Sequence, residues 1–149
     1  MKLATALSRR SDLQIKVKEL STRLNNNAKV QDGQDPSEKP EELLVELDTV
    51  LEELQDLITR INLCNACTFK GEVSLTELLA KRDILKQRVS ILRSFLDTAS
   101  SKIDRYSRSE IQIHSTIDVA AAQKQVDRYA KELRELEESI QELNWTTEI

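Results

Sequence analysis

The chain has 149 residues, 32% of them charged and 3% aromatic, with a formal net charge of −4 and only two glycines and two prolines. Average usage of roughly 7% Gly and 5% Pro would supply several times as many breakers, and β-sandwiches need a turn signal about every 8–12 residues. Gly33, Pro36, Pro40 and Gly71 therefore exclude an all-β fold and any glycine-rich phosphate loop, while the negative charge disfavours general coating of nucleic acid or anionic membranes.

The length predicts one helical-bundle domain over 1–149. Leu3, Ala6, Leu13, Val17, Leu20 and Leu24 step by three and four, with Arg10 in one core slot. This heptad-like, coiled-coil stripe predicts a first helix over about 2–26, closed by Asn25–Asn27, residues that tolerate a left-handed backbone. Residues 28–40 are polar, hold three of the four breakers and form a loop. The second helix, about 41–63, starts after Pro40 with Glu41 and Glu42 at its positive end. Its stripe is Leu43, Leu47, Val50, Leu54, Leu57 and Ile61, flanked by Leu44, Leu51 and Ile58. Together these residues cover an arc of about 140°, which predicts one buried face. A turn follows over 62–72.

Ser74 and Glu77 have capping-box spacing and open a third helix over about 75–106. Its stripe is Leu75, Leu78, Arg82, Leu85, Val89, Leu92, Leu96, Ala99, Ile103 and Tyr106. From Ser107 the period changes: Ile111, Ile113, Ser115 and Ile117 alternate with polar residues. Asp118 can cap a fourth helix over about 119–143, and the tail can pair with residues 110–116 in a small two-stranded element. The expected fold is all-α, an antiparallel bundle of four long helices with that minor β element.

Charge sorts with the helices. Basic against acidic side chains number seven to two in 1–30, two to nine in 35–60, eight to three in 79–108 and four to eight in 118–149. An up-down bundle then sets opposite signs on neighbouring helices, which favours one helix order.

Ile84, Ile91 and Phe95 lie about 100° around the third helix from the centre of its stripe. A monomeric bundle does not need so wide an apolar surface. A second copy of the chain would cover this face; the loop 28–40 or the tail around Trp145 are the intramolecular alternatives.

Other residue groups lead away from catalysis. Cys64-x-x-Cys67 sits at the end of a helix, where the dipole has the sign opposite to that at a redox site on a helix start, and zinc would need ligands beyond the single His114. His114 with Ser107, Ser109, Ser115 and Asp118 offers triad chemistry but no nucleophile elbow. The expectation is no catalytic, metal or cofactor-binding residues, no cofactor and no small-molecule substrate. Lys81, Arg82, Lys86, Arg88, Arg93, Lys102, Arg105 and Arg108 form a basic face. Without interleaved aromatics it suits pairing with acidic helices better than nucleic acid. No apolar run reaches the ~20 residues of a membrane span, and Arg9, Arg10 and Asp12 interrupt any signal-like start. With only two cysteines, a cytoplasmic location is expected.

The segments Arg23–Gly33, Leu75–Asp83, Arg105–Ile111 and Leu143–Glu148 resemble the septicolysin-like family of small, largely uncharacterised bacterial proteins. That resemblance implies a cytolysin-like, membrane-active protein, with no catalytic residues or cofactor to carry over. The expected function is a non-enzymatic interaction or structural protein that self-associates as a homo-oligomer. Membrane lysis and nucleic-acid binding through the third helix are the alternatives.

Overall fold

A computed structural model describes residues 1–101 and 112–149. The fold is all-α with a minor β element: α1 (Leu3–Asn26), α2 (Pro40–Cys67), β1 (Phe69–Lys70), β2 (Val73–Ser74), α3 (Leu75–Ser100) and α4 (Val119–Thr146). No described helix is long and apolar enough to cross a membrane. The chain divides into two compact units, Met1–Leu75 with Glu142–Ile149, and Thr76–Gln141.

In the first unit α1 and α2 form an antiparallel hairpin. Leu3, Ala6, Leu13 and Leu20 are buried on α1, and Leu43, Val50, Leu57 and Ile61 on α2. Each advance of seven along α1 is met by a return of seven along α2, because both stripes keep the heptad. Arg9–Glu53 and Lys16–Glu46 (2.9 Å) bracket the Leu13–Val50 level. These are the opposite-charge pairs that the sorted sequence predicts for neighbouring helices.

The helix ends depart from expectation in physically readable ways. Asn27 closes α1 without a left-handed backbone, its φ being −106°. Its Nδ2 donates to the Arg23 carbonyl at 2.9 Å, and its Oδ1 accepts the Glu38 N–H at 3.0 Å. One side chain thus caps the helix and anchors the far end of the 27–39 loop. Helix α2 runs to Cys67, four residues past the predicted end, because half-buried Cys64 prolongs its apolar face and nothing breaks the chain before Gly71. Helix α3 ends at Ser100 instead of 106, where the Ser100 and Ser101 hydroxyls donate to the Asp97 and Thr98 carbonyls (3.4 and 2.9 Å). Such side-chain bonds compete with continuation of the ladder. The stripe positions Ile103 and Tyr106 lie outside the described residues.

The β element is not where the alternating segment and tail placed it. Phe69 pairs with Ser74 and Lys70 with Val73, around Gly71 at φ +64°. A positive φ at the first of two loop residues is what a tight II′ hairpin demands, and glycine takes it without strain. Residues 112–116 form no strand; 110 and 111 lie outside the described residues. The tail pairs with the N-terminus instead. The Leu3 N–H donates to the Thr147 carbonyl at 3.0 Å, and the Ile149 N–H to Met1 at 2.9 Å. Lys2 and Glu148 meet as an antiparallel bridge and an ion pair (3.1 Å). Helix α1 has no side-chain N-cap, so the tail satisfies one of its open N–H groups.

The second unit contains α3 from Thr76 and α4 up to Gln141. Its buried apolar residues are Leu85, Val89 and Leu96 on α3 and Val126, Leu136 and Ile140 on α4. Asp118 caps α4 as expected, Oδ1 accepting the Ala121 N–H at 3.0 Å. Basic α3 and acidic α4 are joined by Lys81–Glu132 and Lys86–Glu137, both 2.9 Å.

Candidate interaction surface

The three residues singled out on the third helix stand together on one face. Ile84, Ile91 and Phe95 are 59%, 66% and 49% exposed, while Leu85, Val89 and Leu96 a quarter-turn away are buried. Helical periodicity produces both results: a residue seven or eleven further on returns to nearly the same angle. The face is grooved. A depression of about 360 Å³ lies between Ile84, Lys81, Arg88 and Glu132. A second of about 250 Å³ runs along Ile84, Gln87, Ile91 and Leu92. Phe95 borders a third, about 360 Å³, against Ile117, Ala121 and Ala122.

The border of this face is basic but engaged. Arg88 lies over the Tyr129 ring, 5.0 Å from its centroid, a cation–π contact that holds the guanidinium toward α4. The Tyr129 hydroxyl is held below its ordinary pKa, first by hydrogen bonding with Gln125 and then by the charge of Arg88. Lys81 hydrogen-bonds Glu132 and keeps that carboxyl below the ordinary range. Arg82 turns to its neighbour Asp83 at 2.8 Å. Of the predicted basic face, Lys81, Lys86 and Arg82 are thus ion-paired, and Lys102, Arg105 and Arg108 lie outside the described residues.

A second apolar stripe appears where burial was expected. On α2, Leu44 and Leu51 are 50% and 42% exposed and Ile58 is half-buried. The predicted 140° arc is therefore too wide for one helix partner: α1 covers the side centred on Leu43, Val50 and Leu57, leaving the flank open. These residues are spaced by sevens and bordered by Glu41, Asp48 and Glu52, all exposed. The signal that would have found them is the one that marked α3, an offset of about 80–100° from the stripe centre.

The remaining groups stay apart. Cys64 and Cys67 are free thiols at the end of α2; Cys64 Sγ lies 3.7 Å from Thr68 Oγ1. His114 is exposed in the connector, where Ser115 makes a local turn bond to Ile117. No group of three or more His, Cys, Asp or Glu among the described residues could hold a metal ion. Arg10 does occupy its core slot, with Nε buried and lacking a hydrogen-bond partner. Trp145 is 63% exposed, and the loop is anchored at Asn27 and Glu38.

Residues 10–149 match a family of unknown function, DUF6847, and the chain belongs to it. The chain is also similar to a functionally unknown conserved protein from Corynebacterium diphtheriae, known from a crystal structure. The two are 40% identical with a TM-score of 0.93, over 100% of this chain and 98% of the other. No curated protein matches. The resemblance to the septicolysin-like family is thereby corrected, since both matches lead elsewhere. Three of its four segments coincide with helix ends: Arg23–Gly33 closes α1, Leu75–Asp83 opens α3 and Leu143–Glu148 closes α4. Residues at helix ends answer to local backbone chemistry shared by unrelated proteins, so such segments identify a family poorly.

Proposed function

We propose that this DUF6847 member works as a non-enzymatic interaction protein that self-associates through the exposed face of α3. The observation that carries the reading is the exposure of Ile84, Ile91 and Phe95 on one regular stripe. Scattered apolar residues on a surface need no explanation, but a heptad-spaced row on a long helix has the form of a helix-packing seam. A second copy is the partner that the chain always supplies. The free thiols of Cys64 and Cys67 suit a reducing compartment, and we place the protein in the cytoplasm.

Nucleic-acid binding by the basic α3 is the weaker reading, because Lys81 and Lys86 are already neutralised by Glu132 and Glu137. Sedimentation equilibrium at micromolar concentration tests the proposal. The expected result is an oligomer that Ile91→Asp converts to monomer without loss of helical signal. A wild-type chain that sediments as a monomer throughout that range would overturn it.

A further inference from the structure

Resting on that self-association, we infer that the α3 stripe of one copy docks on the α2 stripe of a second, rather than on that copy's α3. Both faces are unpartnered and of matching form. Leu44, Leu51 and Ile58 repeat by sevens on α2; Ile84 and Ile91 do so on α3, with Phe95 four residues on. At 1.5 Å per residue the stripes are about 21 and 17 Å long. Heptad-spaced stripes of similar length interdigitate at a shallow crossing angle.

Charge selects the pairing. Glu41, Asp48 and Glu52 border the α2 stripe, and none has an ion-pair partner among the described residues. The α3 stripe is bordered by the Lys81–Glu132 ion pair and by Arg88, so Arg88 supplies the positive charge of that border. Two α3 stripes laid antiparallel with Ile84 opposite Ile91 bring the two Arg88 side chains within a residue of each other, which disfavours that apposition. Laid antiparallel on α2, Ile91 falls opposite Leu44 and Ile84 opposite Leu51. Asp48 then falls opposite Gln87, one residue from the level of Arg88 and on the same side of the seam. Each copy carries both surfaces, so each can give and receive the contact.

Leu51→Asp and Ile91→Asp, each made in the full chain and followed by sedimentation and helical circular dichroism, test this. Each variant alone is expected to be monomeric and fully helical. An equimolar mixture is expected to recover a one-to-one complex, because one intact α2 face then meets one intact α3 face. Leu51→Asp that still associates like wild type, while Ile91→Asp does not, overturns docking on α2 and leaves self-association through α3 standing. A mixture that stays monomeric also overturns the α2 assignment, and a monomeric wild type overturns both readings. Asp48→Lys, an exposed substitution with no packing role, is expected to weaken wild-type association about fivefold at low salt and less at high salt. No weakening at low salt counts against the pairing.

Discussion

The two units are built alike, as pairs of long helices with opposite charges, yet they are held by different kinds of bond. The first unit is tied through its backbone and its fully buried side chains. Leu3, Leu20, Ile61 and Leu75 have less than 2% of their surface exposed, and the tail, the 27–39 loop and the hairpin each make main-chain bonds that close an end. Among the described residues of the second unit, only Ile140 of the largest side chains reaches that burial. Its contacts between helices include Lys81–Glu132, Lys86–Glu137 and the Arg88–Tyr129 stack, all near the surface. The contrast teaches that similar heptad patterns can give one unit whose ends are closed by its own main chain and another joined by side chains near its surface, while each keeps an exposed apolar stripe on one helix.

The comparison can be broken first at the core. Leu20→Ala in the first unit is expected to cost about 3–5 kcal/mol, and Leu85→Ala in the second about 2–3 kcal/mol, because a less enclosed site relaxes more easily. Urea titration of each variant measures both, and equal costs would erase the difference in closure. Next in size, Asn27→Ala removes two bonds of a buried side chain and leaves the Glu38 N–H without its acceptor. A loss of about 1–2 kcal/mol is expected, with faster amide exchange confined to the α1 end and the 27–39 loop.

Acid should sharpen the comparison further. Glu38, Glu46 and Glu148 in the first unit are held below the ordinary carboxylate range by hydrogen bonds from Arg23, Lys16 and Lys2 respectively. Glu132, bonded by Lys81, is the counterpart among the described residues of the second. A depressed folded-state pKa stabilises above the unfolded value of about 4.3 and is lost as pH falls through the folded value. Amide protection, with the intrinsic pH dependence of exchange divided out, should therefore fall more steeply in the first unit between about pH 5 and pH 3. Protection that falls equally in both would show that these pairs do not distinguish the units. The smallest effect is expected from Tyr129→Leu, which keeps the bulk and removes the ring beneath Arg88. It should leave the unfolding midpoint nearly unchanged, while Arg88 gains rotameric freedom visible by side-chain NMR.

Much of this architecture can be read from local pattern. The starts of α1, α3 and α4 fall within a residue of their predicted positions, because Asp118 and the Ser74–Glu77 spacing are short-range signals. The ion pairs Lys16–Glu46 and Lys81–Glu132 follow from charge sorted by helix. What escaped is long-range. Nothing in Thr147 or Ile149 states that their partners are Leu3 and Met1, so the tail was expected beside residues 110–116. Nor does periodicity reveal which part of a wide apolar arc finds a partner. Ile84 and Ile91 were recognisable because the third helix is apolar on two distinct sides. On α2 the same offset merged with the main stripe, and Leu44 and Leu51 passed for core.

The bond from the Leu3 N–H to the Thr147 carbonyl also has a meaning for synthesis on the ribosome. The second unit is spelled out in the middle of the first, between Leu75 and Glu142. A nascent chain holding only the first 75 residues can pair α1 with α2 but has no strand to close the start of α1. At roughly 5–20 residues per second that end stays unfinished for on the order of ten seconds, while the inserted unit is made. Helix α1 is thus completed only by residues translated after the whole inserted unit.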